Sequence, residues 1–207
     1  MRMSTREDIL NAAMSVFAER GYYAGTVRDI CDRAGANVAA VNYHFKDKAT
    51  LYAEVLQHAY RNAGDGEPMP TLSEAPDEPA EQLAAWIGWY VRRLLHSGGT
   101  DVGRLMAREM AEPTEALDHL AKGAVQPVFG ELGRLVDAAS GGVLDERTLK
   151  LHCVAIIGQC LVFHTGRAML ERLDPPHFGQ QDADEITSHI AASVLRAFDS
   201  SNEDASA

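Results

Sequence analysis

The chain of 207 residues contains only three cysteines. A small, odd number of cysteines argues against a disulfide framework and is typical of proteins in a reducing compartment. The first ten residues also lack an apolar run before their first charges, so no secretory signal is visible. These two features predict a cytoplasmic protein.

The sequence also lacks a long apolar run. The longest stretch without Asp, Glu, Lys or Arg extends over 16 residues from Leu151 to Gly166, and it contains His152, Gln159 and His164. A membrane-spanning helix needs about 20 predominantly apolar residues. We therefore expect this stretch to be too short and too polar to cross a bilayer, and we expect no membrane partner.

An overall basic charge is missing, because the net charge is −11. The deficit is confined to one part of the chain. Residues 1–63 carry eight Lys and Arg against seven Asp and Glu, giving +1, whereas residues 64–207 carry 11 against 23, giving −12. A polyanion would be repelled by the second part and not by the first. The charge distribution predicts two functional parts.

No strand-like alternation of any length is present, and apolar residues recur at helical spacing almost throughout the chain, which predicts an all-α fold. A glycine-rich phosphate loop and an adjacent nucleophile–base pair are also missing, so we expect neither an enzyme nor a bound cofactor. Cys153, Cys160 and His164 share one face of a predicted helix. A metal site or a thiol sensor would use such residues, but without a fourth ligand we interpret the cysteines as buried structural residues and expect no metal.

Residues 64–79 form an evident boundary. They hold four of the eight prolines and five acidic residues, and this composition predicts a segment that joins neither a helix nor a core. The predicted domains are therefore a helix-turn-helix domain (1–50), a connecting helix (51–63), a Pro- and acid-rich linker (64–79), a ligand-binding and dimerisation domain (80–200) and a flexible tail (201–207).

Capping residues delimit four helices in residues 1–63. A capping box of Thr5 with Asp8, or of Ser4 with Glu7, begins the first helix. The other boundaries are Gly21 in the left-handed conformation at the end of the first helix, Thr26 with Asp29 and then Gly35 for the second, Asn37 and about Phe45 for the third, and Asp47 for the start of the fourth. A longer helix followed by two short ones with a tight turn between them is the helix-turn-helix plan, in which the second short helix enters the major groove of DNA.

Four runs of residues in this part are distinctive in order and spacing. They are Ile9-Leu10-Asn11-Ala12-Ala13, Phe17-Ala18-Glu19-Arg20-Gly21-Tyr22, Thr26-Val27-Arg28-Asp29-Ile30-Cys31-Asp32-Arg33-Ala34-Gly35 and Val41-Asn42-Tyr43-His44-Phe45-Lys46-Asp47-Lys48-Ala49-Thr50-Leu51. Over residues 5–55 the sequence resembles the DNA-binding domain of the TetR family of bacterial repressors. Further along, Met110-Ala111-Glu112-Pro113-Thr114 and Gly158-Gln159-Cys160-Leu161 resemble a subgroup of that family related to the CecR regulators.

The resemblance implies roles for nine residues in DNA binding. Phosphate contacts are implied for Thr26, Tyr43, His44 and Lys48, and contacts with base edges for Asn37, Val38, Ala39, Asn42 and Arg28. Asn42 stands where many members carry an aromatic residue, and because Asn pairs with adenine through two hydrogen bonds, this change alters the expected operator preference. For Arg28 an ion pair with Asp32 on its own helix is the open alternative to reading guanine.

The second part of the chain contains candidate effector-binding residues. A pocket between helices needs an adaptable apolar lining. The candidates are Trp86, Trp89, Tyr90, Met106, Met110, Phe129, Cys160, Phe163 and His164. For each of them taken singly, a place in the plain core is favoured over a contact with a ligand. A single helix that starts near Thr114 and accommodates Pro127 is also predicted here.

The last two predicted helices, from about Glu146 to Leu173 and from Asp182 to Phe198, suit a four-helix interface between two copies of the chain, with an intrachain core as the alternative. The resemblance also implies a homodimer. We therefore expect a ligand-responsive repressor that binds a pseudo-palindromic, double-stranded DNA operator as a homodimer and is released by a small-molecule effector. The alternatives are an apolar small-molecule sensor or carrier that no longer binds DNA, and an all-α enzyme that uses Cys160 and His164.

Overall fold

The computed structural model describes residues 6–64, 66–72, 78–170, 172–173 and 180–205. These residues form helices and turns and contain no β-strand, which confirms the all-α fold class. The predicted cap at Ser4 or Thr5 lies outside the described residues. The first four helices are α1 (Arg6–Ala24), α2 (Val27–Ala34), α3 (Val38–Phe45) and α4 (Lys48–Arg61).

The remaining helices follow the acidic, proline-rich segment. They are α5 (Pro79–Ser97), α6 (Asp101–Ala111), α7 (Ala116–Leu120), a π-helical turn (Ala121–Val125), α8 (Gln126–Ala139), α9 (Glu146–Thr165), α10 (Arg167–Leu170), a short 3₁₀ turn (Gln180–Asp182) and α11 (Ala183–Ala205).

The helices form two compact units. The first contains the described residues of Met1–Ala63 and of Ser97–Gln126, and the second contains those of Gly64–His96 and of Pro127–Ala207. The units divide the chain differently from the predicted domains, because α6 and α7 pack with the N-terminal helices although they follow the linker in sequence. The predicted boundaries remain predictions about functional domains.

Each unit has an apolar core of its own. The first core is centred on Phe17, Ile30, Val41, Phe45, Leu51, Val55, Leu105 and Leu120. The second is centred on Trp86, Ile87, Leu132, Val136, Cys153, Ile156, Ile190 and Val194. Burial of a large apolar side chain stabilises a fold by about 1.5–3 kcal/mol, so either set is large enough to hold its helices together.

Helix α1 changes direction at Gly21, where φ is 78° and ψ is 173°. Such a φ favours glycine, but this ψ is not that of the left-handed helical conformation, so the predicted conformation is wrong although the position of the break is right. A side chain from α6 satisfies the carbonyl groups at the break. Arg108 donates from Nε to Ala18 O and from Nη2 to Glu19 O, both at 3.1 Å.

Residues 116–139 are helical without a break, as the predicted single helix through Pro127 requires, and a π-helical turn between α7 and α8 accommodates the proline. The amide of Gln126 donates to Ala121 O, five residues back, which widens the helix just before the proline. Pro127 has no amide hydrogen to offer to the carbonyl of Gly123. That carbonyl instead accepts a hydrogen bond of 3.3 Å from Arg61 Nη2 on α4.

Part of the acidic, proline-rich segment packs against the second core. Met69 and Leu72 are half-buried against it, and the amide of Leu72 donates to the carboxylate of buried Glu131. Pro79 is the first residue of α5, where the amide of any residue would lack a partner within the helix, so a proline costs no hydrogen bond there. The expectation that this segment joins neither a helix nor a core is therefore wrong for these residues, while residues 73–77 lie outside the described ones.

Helix α9 ends at Thr165 rather than continuing to Leu173 as predicted. The amide of Gly166 donates to Val162 O at 2.9 Å, and a Cβ at residue 166 would lie only 2.6 Å from that oxygen, so glycine fits this end and larger residues do not. Helix α11 starts at Ala183, next to the predicted start, and its backbone stays helical to Ala205, beyond the predicted end at Phe198.

Candidate nucleic-acid interface and ligand-binding residues

Local hydrogen bonds fix the ends of the two short helices. Thr26 and Asp29 form the predicted capping box at the start of α2, and Gly35 ends that helix in the left-handed conformation with φ 63°. Asn37 then caps α3, its side-chain oxygen accepting from the amide of Ala40 at 2.8 Å. These caps confirm the predicted helix-turn-helix boundaries, and they use signals that lie within three residues of each helix end.

One face of α3 is exposed and the other is buried. Val41 and Phe45 lie in the first core. The exposed side chains are Asn37, Val38, Ala39, Asn42 and Tyr43. Val38 is 50% and Tyr43 85% exposed, so these side chains are open to a partner large enough to cover the whole face. All five residues proposed from the sequence for this helix therefore share one surface, with His44 half-buried at its end.

Two of these side chains are already partly engaged. The oxygen of Asn37 is used in the cap, so only its NH₂ group remains for a base edge. His44 stacks edge-on against Tyr43, with ring centroids 5.1 Å apart. A contact of these two rings restricts the tyrosine side chain before any partner is bound.

Thr26 is occupied by its neighbour. Its hydroxyl donates to Asp29 Oδ2 at 2.6 Å, and its amide donates to the same oxygen at 3.0 Å. These hydrogen bonds, the hydroxyl first, hold the pKa of Asp29 below its ordinary value, and Arg20 lies 2.7 Å from the other carboxylate oxygen. A phosphate at this helix end would meet the unpaired amides of the first turn more easily than the threonine hydroxyl.

Arg28 is exposed on α2, and among the described residues no ion pair joins it to Asp32. The alternative in which Arg28 is taken up by a neighbour on its own helix is therefore not seen. Its guanidinium group is available for a base or a phosphate.

Lys48 is folded back onto the end of α1. Its ammonium nitrogen lies 4.7 Å from the centroid of the Tyr22 ring and 3.4 Å from Tyr23 O, to which it donates. Burial lowers the pKa of this lysine. To reach a phosphate, the side chain must leave the aromatic ring.

Lys46 is an exposed cation between α3 and α4 that the sequence reasoning did not select. Its backbone has φ 65° and ψ −55°, and the amide of Asp47 donates to Phe45 O at 2.6 Å across it. A non-glycine residue in this γ-turn is strained. The only signal in the sequence was its position between two helix ends.

Behind this surface, a buried carboxylate connects α4 to α6. Glu109 is 1% exposed and accepts from Tyr52 OH at 2.8 Å, from the amide of Thr114 at 2.9 Å and from its hydroxyl at 3.0 Å. Burial, with the hydrogen bond to Glu109 second, raises the pKa of Tyr52. Glu109 directly precedes the run from Met110 to Thr114, so this network gives that motif a structural role in the first unit.

Most of the candidate effector residues lie in the second unit, and several are fully buried. Trp86, Trp89 and Tyr90 on α5 are 0%, 6% and 7% exposed, and Trp86 stacks on Tyr90 with centroids 5.1 Å apart. The indole nitrogen of Trp89 donates to Glu67 O at 3.1 Å. The indole nitrogen of Trp86 is buried without a hydrogen-bond partner in the described part of the chain. An unpaired buried donor is uncommon and would favour a ligand or a water that accepts from it.

The other candidates divide between the units. Phe129, Phe163 and His164 are half-buried in the second unit, and the His164 Nδ1–H group donates to Leu94 O at 2.9 Å. Met106 and Met110 belong instead to the first unit, where Met106 packs on the first core. Met110 is 58% exposed, so its interpretation as plain core is wrong.

The cysteines of α9 are buried, as the sequence predicted. Cys153 is 0% and Cys160 1% exposed, and burial raises the pKa of the Cys160 thiol to about 12. At neutral pH such a thiol is protonated and a poor nucleophile. The described residues contain no cluster of His, Cys, Asp and Glu suited to a metal ion.

The opposite face of α9 is apolar and uncovered. Leu151, Val154 and Val162 are 57%, 60% and 47% exposed. The helix has 20 residues, and an 18-residue stretch of it has a mean hydropathy of 1.3, so by length and composition it can cross a bilayer, contrary to the expectation from the uncharged stretch. Helices that pack in soluble proteins pass the same test, so the length of α9 does not by itself indicate a membrane.

Comparison with known families accounts for both parts of the chain. Residues 9–55 match the bacterial regulatory proteins of the TetR family. Residues 79–198, more than half of the chain, match the C-terminal domain of the transcriptional dual regulator CecR.

Individual relatives agree with this match. The chain is 26% identical to the HTH-type transcriptional dual regulator CecR of Shigella flexneri, over 91% of this chain and 89% of the relative. It is 29% identical to the HTH-type transcriptional repressor NicS of Pseudomonas putida, over 80% and 78%. Among solved structures, the regulator FadR of Bacillus subtilis in complex with stearoyl-CoA has the same fold, with a TM-score of 0.65, 16% identity and coverage of 92% and 98%. The chain therefore belongs to the TetR family of bacterial transcriptional regulators, carries a C-terminal domain of the CecR type and is a regulator of transcription rather than an enzyme.

Proposed function

We propose that this regulator is a cytoplasmic, homodimeric repressor, which binds a pseudo-palindromic operator and is released by a small-molecule effector. The observation that carries the proposal is the exposed face of α3. Val38, Ala39, Asn42 and Tyr43 stand together in solvent on a short helix whose other side is anchored in a core. An α-helix fits the major groove, and the first turns of a recognition helix approach the base edges.

The residues of this face suit different tasks. Val38 and Ala39 are small enough to pack on thymine methyl groups, and Asn42 can pair with adenine through two hydrogen bonds. Tyr43, His44 and Lys48 flank the helix and would hold phosphates, with Thr26 and the amides at the start of α2 on the other side. Arg28 would read guanine from the preceding helix, and Asn37 would offer its NH₂ group.

The proposed dimer would form through α9 and α11. One recognition helix makes few contacts, whereas two helices in a symmetric pair read two half-sites about 34–36 Å apart. The uncovered apolar face of α9, with Leu151, Val154 and Val162, would meet the same face of a second copy. Contiguous exposed apolar surface of this kind is typical of a protein–protein interface.

The effector would bind in the C-terminal domain. The unpaired indole N–H of buried Trp86 supports a ligand that carries a hydrogen-bond acceptor, and Trp89, Tyr90, Phe129, Phe163, Cys160 and His164 are proposed around it. Met106 and Met110 lie in the first compact unit and are not part of this proposed site. The likeness in fold to FadR, which was solved with stearoyl-CoA, supports a ligand-binding role in general. The ligand would weaken operator binding by its difference in affinity for the two states, typically about 1–3 kcal/mol.

The test is binding of the full chain to the DNA upstream of its own gene, measured over a series of salt concentrations. The logarithm of the binding constant should fall linearly with the logarithm of the salt concentration, because contacts with phosphates release counterions from the DNA. In a Val38→Glu variant, the added carboxylate would be repelled by DNA, yet an acidic residue in the first turn of α3 is favourable for the helix. Val143→Glu is the matched control, since Val143 is 57% exposed in the turn before α9.

Loss of binding in Val38→Glu with normal binding in Val143→Glu is the expected result. Equal binding by both variants would contradict the proposed interface. If the unaltered protein ignores all such DNA, the second candidate applies, an apolar small-molecule sensor or carrier that no longer binds DNA. The near-neutral charge of residues 1–63 favours that candidate, because DNA-binding surfaces are usually more basic.

A further inference from the structure

Three tyrosines of the first unit line a cleft that neither the DNA interface nor the proposed effector pocket uses. Tyr22 and Tyr23 come from the end of α1, Tyr52 comes from α4, and residues 114–116 close the cleft from the side of α7. The cavity has a volume of about 310 Å³, within the lower range of small-molecule sites. We name it the tyrosine cleft.

The rings of the cleft are packed around Tyr22. The centroid of Tyr22 lies 4.8 Å from that of Tyr52 and 5.2 Å from that of Tyr23. Tyr52 is held in place because its hydroxyl donates to buried Glu109, whereas Tyr23 is 77% exposed and presents its ring to the opening. The cleft therefore has a fixed wall and an accessible one.

The charge of the cleft selects the kind of ligand. Glu115 is the only charged side chain among the described residues that line it. The faces of aromatic rings attract cations as well. The structure contains an example, because the Lys48 ammonium group already lies 4.7 Å from the centroid of Tyr22.

Two cationic side chains, Arg108 and Lys48, lie near the cleft, and both already have partners within the protein. Arg108 borders an adjoining recess together with Glu112, but its guanidinium group is committed to the carbonyls of Ala18 and Glu19. The Lys48 ammonium is bound to Tyr23 O. Anionic ligands would meet a carboxylate and the negative faces of the rings, and neutral apolar ligands would gain nothing from Glu115.

We propose that the tyrosine cleft binds a small organic ammonium ion, with the exposed ring of Tyr23 against the cationic group and the carboxylate of Glu115 at its edge. This site is separate from the effector pocket proposed above, and it borders Lys48, which is a proposed phosphate contact. It would be a second small-molecule site of the protein, and it lies in the unit that carries the recognition helix.

The experiment compares choline with 3,3-dimethylbutan-1-ol, which has the same shape but no charge. Binding to the full-length protein without DNA is measured by ligand-observed NMR titration of the methyl resonances. Choline should bind about three- to tenfold more tightly than the neutral alcohol, because a ring contact and an ion pair at exposed positions each favour a cation by at most about fivefold. Equal affinities, or no binding of choline, would overturn the proposal.

Two variants locate the site without disturbing the core. Tyr23→Leu removes the accessible ring and keeps apolar bulk, and Glu115→Gln removes the charge; both residues are exposed. Each should weaken choline binding about two- to fivefold, since one of the two contacts is lost. Asp118→Asn is the control, an equal change of charge at an exposed position of α7 outside the cleft. Unchanged affinity in the first two variants, or an equal loss in the control, would show that choline binds elsewhere and would refute the assignment.

Discussion

Helices α3 and α9 both leave one face in solvent, and the two faces differ in chemistry. The exposed face of α3 is short and mixed, with Asn42 and Tyr43 beside two small side chains. The exposed face of α9 belongs to a helix of 20 residues and is apolar at Leu151, Val154 and Val162. A mixed face can remain in water until a wet, polar partner such as DNA arrives. An extended apolar face is stable only when it is covered, so the comparison predicts an intermittent partner for α3 and a permanent one for α9.

The largest effect is expected from a charge on α9. Val154→Arg would bury an unpaired guanidinium group twice in a symmetric dimer, and an uncompensated buried charge destabilises by about 3–5 kcal/mol. The dissociation constant of the dimer should rise at least about 100-fold, as measured by analytical ultracentrifugation. Val143→Arg introduces the same change at a valine of nearly equal exposure outside the helix and should leave the dimer intact. Dimers that persist in Val154→Arg would remove the contrast between the two helices.

A smaller effect should separate two residues of the DNA interface. Asn42→Ala should change which operator sequences bind, with a loss of about 1–3 kcal/mol confined to sites that carry the matching adenine. Lys48→Ala should instead lower affinity for every sequence and reduce the steepness of the salt dependence by about one contact. Both are measured on a panel of operator variants at several salt concentrations. A uniform loss in both variants would contradict the division between base reading and phosphate contact.

Thr26 tests how much the side-chain cap of α2, the helix before α3, contributes to stability. Thr26→Ala removes the side-chain cap of α2 and should reduce the free energy of unfolding by about 1 kcal/mol, as measured by urea denaturation. Thr26→Ser keeps the hydroxyl and should retain most of the stability. An unchanged stability in Thr26→Ala would mean that the hydrogen bonds with Asp29 contribute little to the fold.

The smallest expected effect concerns pH, because α3 and α9 are capped differently. Asn37 caps α3 and does not titrate, whereas Asp145 caps α9 and accepts from the amides of Arg147 and Thr148 at 2.8 and 3.0 Å. The hydrogen bonds from Thr148 hold the pKa of Asp145 below its ordinary value of 3.8. A lowered pKa stabilises the fold above about pH 3.8, and this contribution is lost as the pH falls through the lowered value.

The protection factors for amide hydrogen exchange should therefore fall in the first turn of α9, and not in that of α3, as the pH falls through the pKa of Asp145. Asp145→Asn gives α9 the same kind of cap as α3 and should abolish the difference. If both helices respond equally to acid in the unaltered protein, the caps are not the cause.

Signals within a few residues were sufficient to predict the boundaries of the helices in the helix-turn-helix. Asp29 lies three positions from Thr26, and Gly35 and Asn37 stand at the helix ends that they define, so local hydrogen bonds decide these boundaries. The resemblance to the TetR family then identified which exposed residues to select. The contact between Lys48 and Tyr22 was not foreseen, because it depends on the packing of α4 against the end of α1.

What the sequence did not predict depends on partners far apart in the chain. Arg108 satisfies carbonyls about 90 positions earlier, and Glu109 receives a hydrogen bond from Tyr52 across 57 positions. Plain core was one interpretation of Met110, yet the buried position is taken by Glu109, whose carboxylate has three donors. A polar residue at an apparent surface position is read as exposed unless its distant donors are known.

The carbonyl of Gly123 receives a hydrogen bond from Arg61 next to a proline that has no amide hydrogen to give. A Cβ at residue 123 would also lie 3.0 Å from Gln57 Oε1, so a larger residue there would push the end of this flexible side chain aside. An imino acid four positions downstream thus leaves a free acceptor that a long cationic side chain from another helix takes up. The proline lacks an amide hydrogen, which leaves the Gly123 carbonyl as an acceptor for α4. The glycine lacks a side chain, which leaves room beside it for side chains from α4.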